Sequence, residues 1–323
     1  MEKFWCYNNM KRLILFLLLI SFQQSFSQNA GKAGAFARMG FGSRGMAMGN
    51  ALTAVNSGEI SAYYNPALSP FSKSRIVNTS FGFLSLDRSL TSLSYTQSIP
   101  PTAGISASIL KAGVSNIDGR NSNGVHTEDY STYDYQFALA FSNQVSEGVS
   151  LGVAVKLYHN KLFEEVTSTT VGFDIGVHIH IIDRLYTGVA LQDIGSKYIW
   201  DTKPIYAEPL GKPTTDKFPT LRRVGLAYFF EEPEITIAID FENSNQNTNI
   251  LRFGAEYSII KYFQIRGGVD RIEFGNDRTG AKPSFGFTIE KPVAGFIPAL
   301  SYAFIYDSFA PRGIHFITLS AKI

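Results

Sequence analysis

From residue 76 to the end of the chain, apolar side chains recur at every second position in segments of about nine to thirteen residues. The pattern is clearest between Val149 and Lys161. There Val149, Leu151, Val153, Val155 and Leu157 fall on one side, while Ser150, Gly152, Ala154, Lys156 and Tyr158 fall on the other. Val171, Phe173, Ile175, Val177 and Ile179 repeat it against Thr170, Gly172, Asp174, Gly176, His178 and His180, and Ile235, Ile237, Ile239 and Phe241 do so again. A period of two with one apolar face is the strand signature. It predicts fourteen strands, at 76–84, 91–99, 102–111, 133–144, 149–162, 168–180, 184–194, 220–230, 234–243, 248–259, 262–272, 283–290, 296–307 and 313–323.

Alternation of this kind also suits a soluble β-sandwich, and loop length decides between the two. Every second connection is short: Pro100-Pro101, 144–148, 181–183, 231–233, Ile260-Lys261 and 291–295. The long connections, 112–132, 195–219 and 273–282, all fall on the other parity. Short turns at one end and long loops at the other describe an outer-membrane barrel, and a sandwich has no reason to sort loops this way. The fold class expected is therefore all-β, a transmembrane antiparallel β-barrel of about 14 strands. Its last strand alternates Ile317, Leu319, Ala321 and Ile323 with Thr318, Ser320 and Lys322. A terminal amphipathic strand resembles the signal by which such barrels are recognised for insertion, although the usual last residue is aromatic. Tyr133, Tyr135, Phe137, Phe141, Tyr228, Phe230, Phe263, Phe285, Phe287, Phe304 and Tyr306 fall near strand ends. They suit interfacial girdles, and equally the general preference of aromatics for strands.

Two segments precede the strands. Lys11 and Arg12, the apolar run Leu13 to Ile20, and Ser25-Phe26-Ser27 read as a secretory signal peptide over 1–27, with cleavage after Ser27 and Met1 or Met10 as the start. Cys6, the one cysteine, lies ahead of the apolar run, which argues against a lipid anchor. Cleavage removes three basic and one acidic residue, leaving 26 of each and no cysteine. A neutral chain lacks the basic surplus that nucleic acid binding requires, so no nucleic acid partner is expected. Without cysteines it also has no disulfide framework and no cysteine-rich metal site. No later run of about 18 apolar residues exists, so a membrane location requires a closed barrel.

Residues 28–75 do not alternate and are rich in small residues. They divide the chain into a signal at 1–27, an N-terminal hatch or plug at 28–75 and a barrel at 76–323. A short small-residue helix is expected at 46–56, with Asn65-Pro66 turning the chain towards the first strand. Arg44 either lies in the lumen, with Glu59, Asp174 or Asp240 as partner, or faces periplasmic water.

The hatch carries a family resemblance. Arg44, Gly45, Ala47, Gly49, Ala51, Thr53 and Ala54, then Tyr64, Asn65, Pro66 and Ala67, resemble the opening of the PorV/PorQ family of outer-membrane proteins, relatives of the FadL-type long-chain fatty acid channels. The motif covers about 25 residues, and Leu68 stands where many FadL-like members have glycine. The resemblance implies a fourteen-stranded barrel with an N-terminal hatch folded into its lumen. It marks Arg44, Gly45, Gly49, Asn65, Pro66 and Ala67 as the hatch motif. It implies a component of type IX secretion that binds carboxy-terminal sorting domains of exported cargo, or docks them to secretion-machinery proteins. The FadL side of the resemblance implies instead a passive transporter of a hydrophobic ligand. Both place the chain in the outer membrane of a Gram-negative bacterium, against its lipid.

Other motifs carry less. Gly40-x-Gly42-x-x-Gly45 matches a dinucleotide fingerprint in its letters but lacks the preceding strand and the later acidic residue. His178 and His180 share a strand face without an evident third metal ligand, and read as a wet lumenal pair near the periplasmic rim. No nucleophile pairs convincingly with a histidine, so neither an enzyme, a metal nor a cofactor is expected. The loop with Asp118, Glu128, Asp129 and Asp134 is acidic and that with Lys197, Lys203, Lys212 and Lys217 basic. Within the latter, Tyr198, Trp200 and Tyr206 are candidates for contact with a partner or ligand.

Overall fold

The computed structural model describes residues 31–163, 166–206, 210–273, 280–293, 295–308 and 310–323. The expected signal at 1–27 and the first three hatch residues lie outside them.

Fourteen antiparallel strands close into a barrel. In chain order they begin with β1 (Ile76–Phe83), β2 (Arg88–Ile99), β3 (Ala103–Arg120), β4 (His126–Ser146), β5 (Val149–Phe163), β6 (Val166–Ile182) and β7 (Leu185–Ile194). A separate hairpin, β8 (Lys197–Asp201) with β9 (Pro213–Lys217), interrupts the series. The wall resumes with β10 (Leu221–Phe230), β11 (Ile235–Ser244), β12 (Asn249–Ile260), β13 (Phe263–Glu273), β14 (Lys282–Glu290), β15 (Ile297–Ile305) and β16 (Ile314–Lys322). Each strand pairs with its neighbour, β7 with β10, and β1 closes on β16 from Ile76 opposite Lys322 to Phe83 opposite His315. Closure leaves no edge, so every wall strand finds backbone partners without water.

The alternation maps onto the two sides of the wall. Leu151, Val153, Val155 and Leu157 are exposed on the outside, whereas Ser150, Gly152, Ala154, Lys156 and Tyr158 are buried inside. Girdle candidates also face outward, among them Phe141, Tyr228, Phe230 and Phe285, and Phe285 meets Phe304 across strands at 5.3 Å between ring centres. The short turns gather at one end, where Arg75 and Ile323 exchange backbone hydrogen bonds of 3.0 and 2.8 Å.

Three expectations are corrected. The stretch 112–132 is not a long loop: β3 and β4 run on as a ribbon from Ser115 to Ser131, and the turn itself is only 121–125. Its polar residues alternate no apolar face because the ribbon stands beyond β2 and β5. The 195–219 loop holds its own hairpin, packed inward by Phe218 and Tyr198. The hatch helix is α1 (Gly42–Ala47), not 46–56, because Gly49 and Asn50 both adopt left-handed backbone that ends it. Small residues suit a helix at 46–56, but the chain turns where it meets the wall.

On the ribbon, Asp118 and Asp129 are directly opposed, a repulsive cross-strand pair. His126 Nδ1 lies 2.7 Å from Asp118, and Arg120 also contacts Asp118. The hydrogen bond with Asp118 raises the His126 pKa, and Asp118 is lowered by His126 first and Arg120 second. A raised histidine gives the contact its full strength below the ordinary imidazole value, and the contact fades as pH rises through the raised one. A proton titration of His126 by NMR should therefore show a midpoint above the usual range, and Asp118→Asn should return it there. An unchanged midpoint in that variant would show the contact is not formed.

Candidate functional site

The site is the interior of the barrel, where the hatch meets the wall. Arg44 extends from α1 and is 3% exposed. Its Nε and Nη2 donate to the two oxygens of Glu256, each at 2.9 Å, and its Nη1 donates to the carbonyls of Ser57 at 2.6 Å and Glu59 at 3.2 Å. This fork-to-fork pair uses the planar guanidinium fully. Arg44 is thus lumenal, and its acidic partner is Glu256 rather than Glu59, Asp174 or Asp240; Glu59 serves through its backbone. Glu256 lies on a strand whose inward face sequence reading did not probe for carboxylates.

Further along the hatch, the amide of Asn50 donates to Asp270 at 2.9 Å, and Thr53 offers both its backbone N–H and its hydroxyl to Asp240. Asn65 organises the exit. Its carbonyl oxygen accepts from the N–H of Ala67, capping a 3-10 helix at Pro66–Phe71, while its amide donates to Thr53 O and, across to the wall, Val177 O. Ser150 on β5 donates to Ala67 O at 2.8 Å.

Glycines make the close fit possible. Gly152, Gly176, Gly188, Gly225, Gly254 and Gly268 form a belt around the inner wall, paired across strands as Gly152 with Gly176, Gly188 with Gly225 and Gly254 with Gly268. A Cβ at Gly152 or Gly176 would strike Pro66; at Gly188, Thr53; and at Gly254 or Gly268, Met48. The motif residues reciprocate: a Cβ on Gly45 would strike the Tyr64 hydroxyl, and one on Gly49 the backbone of Phe253 and Val269. At these contacts the hatch and the wall approach at close to main-chain distance.

Two of the wall carboxylates that hold the hatch also have partners of their own. Glu256 pairs with Arg266, and Asp270 with Arg252 at 2.6 Å. Glu242 binds Arg223 at 2.6 Å and Arg252 at 3.1 Å. On the opposite side Lys156 bridges Asp174 at 2.7 Å and Asp193 at 2.9 Å, and Tyr158 donates to Asp193.

Above the hatch, towards the long loops, a cavity of about 450 Å³ opens. Phe36, Met39 and Arg38 of the hatch form its floor; Leu84, Arg88, Ala112 and Val114, with Ile250, Arg271 and Lys282 opposite, form its sides. Tyr198 and Trp200 do not line it. Both are buried in an aromatic cap, Tyr198 at 4.8 Å from Phe218, which in turn packs on Tyr158 at 4.7 Å. The Tyr206 side chain lies outside what the structure describes. Of the histidine pair, His178 is sealed rather than wet, donating to Ala54 O at 3.1 Å and tilted against Phe71, while His180 is exposed at the rim. The glycine-rich 40–45 stretch opens α1 against Tyr63 and Tyr64, whose hydroxyls accept from the N–H of Gly40 and of Phe41.

No family model matches the chain, and no curated protein matches its sequence. Solved structures do match. The Pseudomonas putida toluene transporter TodX aligns over 93% of this chain and 98% of its own, at 14% identity and a TM-score of 0.62. A Pseudomonas aeruginosa FadL homologue aligns over 87% and 98%, at 13% identity and a TM-score of 0.60. The chain has their fold. At such identity the likeness extends to the fold alone and leaves side-chain roles to be argued from this sequence.

Two outcomes test the hatch. Arg44→Gln leaves Glu256 with Arg266, whereas Glu256→Gln strands two buried guanidiniums. The first should destabilise the barrel by about 1–3 kcal/mol and the second by about 3–5 kcal/mol in urea unfolding from detergent. The reverse order would contradict the shared-carboxylate arrangement. Gly254→Val should push Met48 off the wall and render the hatch, but not the strands, sensitive to limited proteolysis.

Proposed function

We propose that this protein is an outer-membrane channel that takes up a hydrophobic or amphipathic compound. The observation that carries this reading is the cavity above the hatch, part apolar through Phe36, Met39, Leu84, Val114 and Ile250, and floored by a hatch that packs tightly on the wall's glycines. A water-filled pore for hydrophilic solutes would leave its lumen open, whereas here the compound is held at the outer mouth until the hatch shifts or the wall parts. The outward apolar band supports an outer-membrane location, and the similar structures, described as a toluene transporter and a monoaromatic hydrocarbon channel, support the substrate class.

A second reading is a PorV/PorQ-like role in type IX secretion, binding cargo sorting domains. It is favoured by the β3–β4 ribbon, which projects past its neighbours with polar, exposed faces suited to a protein partner. The first reading is preferred because a docking protein has no need of a cavity within its lumen.

Vesicles reconstituted with the protein should accumulate a hydrophobic fluorescent probe faster than empty vesicles. Met39→Trp, which fills the cavity floor, should lower that rate roughly tenfold. Uptake indifferent to both the protein and the variant, together with copurification of secreted proteins bearing a common carboxy-terminal domain, would favour the second reading.

A further inference from the structure

The cavity holds more positive charge than its own walls neutralise. Lys282 is paired with Asp307 at 2.7 Å, and Glu242 is shared by two arginines. Asp134 accepts from the Tyr198 hydroxyl and from Asn160 and has no cationic partner among the described residues. Three guanidiniums also line the space without a carboxylate partner among the described residues. Arg38 donates only to the carbonyls of Ala33 and Lys32, Arg88 to that of Ser85, and Arg271 to none. Three such cations against Asp134 leave an excess of two.

Arg271 is there by a backbone device. Leu251 pairs with Ile272 and Phe253 with Val269, so Asp270 and Arg271 together oppose Arg252 in a bulge, and Arg271 takes φ 58°. In a regular strand consecutive side chains point to opposite faces, but here Asp270 is buried inside against Arg252 while Arg271 lines the cavity. Burial lowers the Arg38 pKa, and the like charge of Arg271 adds to this against the opposing pull of Asp193 and Glu242. A strained residue that brings one cation towards another has a cost that an anion between them would offset.

We infer that the cavity binds the phosphate end of an amphipathic phosphate monoester, with Arg271 and Arg38 as its principal receptors, Arg88 at its outer side, and the apolar floor and sides taking the hydrocarbon. A phosphate monoester carries close to two negative charges at neutral pH and three acceptor oxygens, matching the excess charge and the guanidinium donors. A carboxylate carries one. This rests on the channel reading, since it names the ligand of the same cavity.

Titration calorimetry of the detergent-solubilised full barrel tests it, using hexyl phosphate, hexanoate, hexanol and inorganic phosphate as probes. Hexyl phosphate should bind at least roughly tenfold more tightly than each of the others, and more weakly as salt rises. Arg271→Gln should weaken it roughly tenfold, and Arg271→Lys should recover part of the loss, in variants whose band still shifts on boiling. Hexanoate or inorganic phosphate binding as tightly as hexyl phosphate overturns the inference, as does an unaffected Arg271→Gln. Hexanol binding as tightly as hexyl phosphate overturns it while leaving the hydrophobic channel intact. Failure of all four probes to bind, with no probe uptake by vesicles, overturns both.

Discussion

Charges inside a barrel that faces lipid have nowhere to go but to one another. The wall has no edge and its outside is apolar, so each inward Arg, Lys, Asp or Glu must be compensated within a lumen that the hatch also occupies. The solution here is sharing: Glu256 serves Arg44 and Arg266, Glu242 serves Arg223 and Arg252, and Arg252 also serves Asp270. Among the described hatch residues Arg44 contributes the charged group to this network, and Asn50 donates to Asp270. The hatch is therefore held by a strong, directional pair, yet its departure would leave Glu256 with Arg266 and Asp270 with Arg252. A plug that must seal and yet be able to move is served by that asymmetry.

The glycine belt complements the charges. Ion pairs fix where the hatch sits, and the belt fixes how closely, because a side chain at its glycines would strike the hatch. The same closeness explains why glycine stands at 45 and 49 in this chain, and why Asn65 precedes Pro66. Asn65 can cap the next turn, join both halves of the hatch and reach Val177 on the wall with one side chain, and Pro66 removes an N–H that would otherwise lie buried against Gly176.

Strand number and the sidedness of the wall were legible in the sequence, because both follow from a period of two, whereas loop length was legible only in part, since 112–132 is ribbon rather than loop. The hatch motif was legible as a resemblance. Its partners were not: Arg44 and Glu256 are 212 residues apart, and only barrel register brings them together. The inward alternates Gly152, Gly176 and Asp174 could be seen, but not which of them the hatch would touch. Tyr198 and Trp200 stood out as apolar residues in a polar loop for a physical reason, yet that reason is the aromatic cap over Tyr158 and Phe36 rather than contact with the cavity. The length of the β3–β4 ribbon was hidden because a two-stranded ribbon in water has no apolar face to alternate.

The bulge at Asp270 and Arg271 separates what the fold requires from what it merely carries. A barrel of this size closes without it, and Arg252 could keep Asp270 in a regular ladder. The bulge inserts one residue, accepts left-handed backbone at an arginine, and gains no acidic partner for that arginine. Stability alone gives no account of such an arrangement, since each of its parts costs free energy: the strained φ, the interrupted ladder and the proximity of Arg38. An anion received by the cavity would offset that cost.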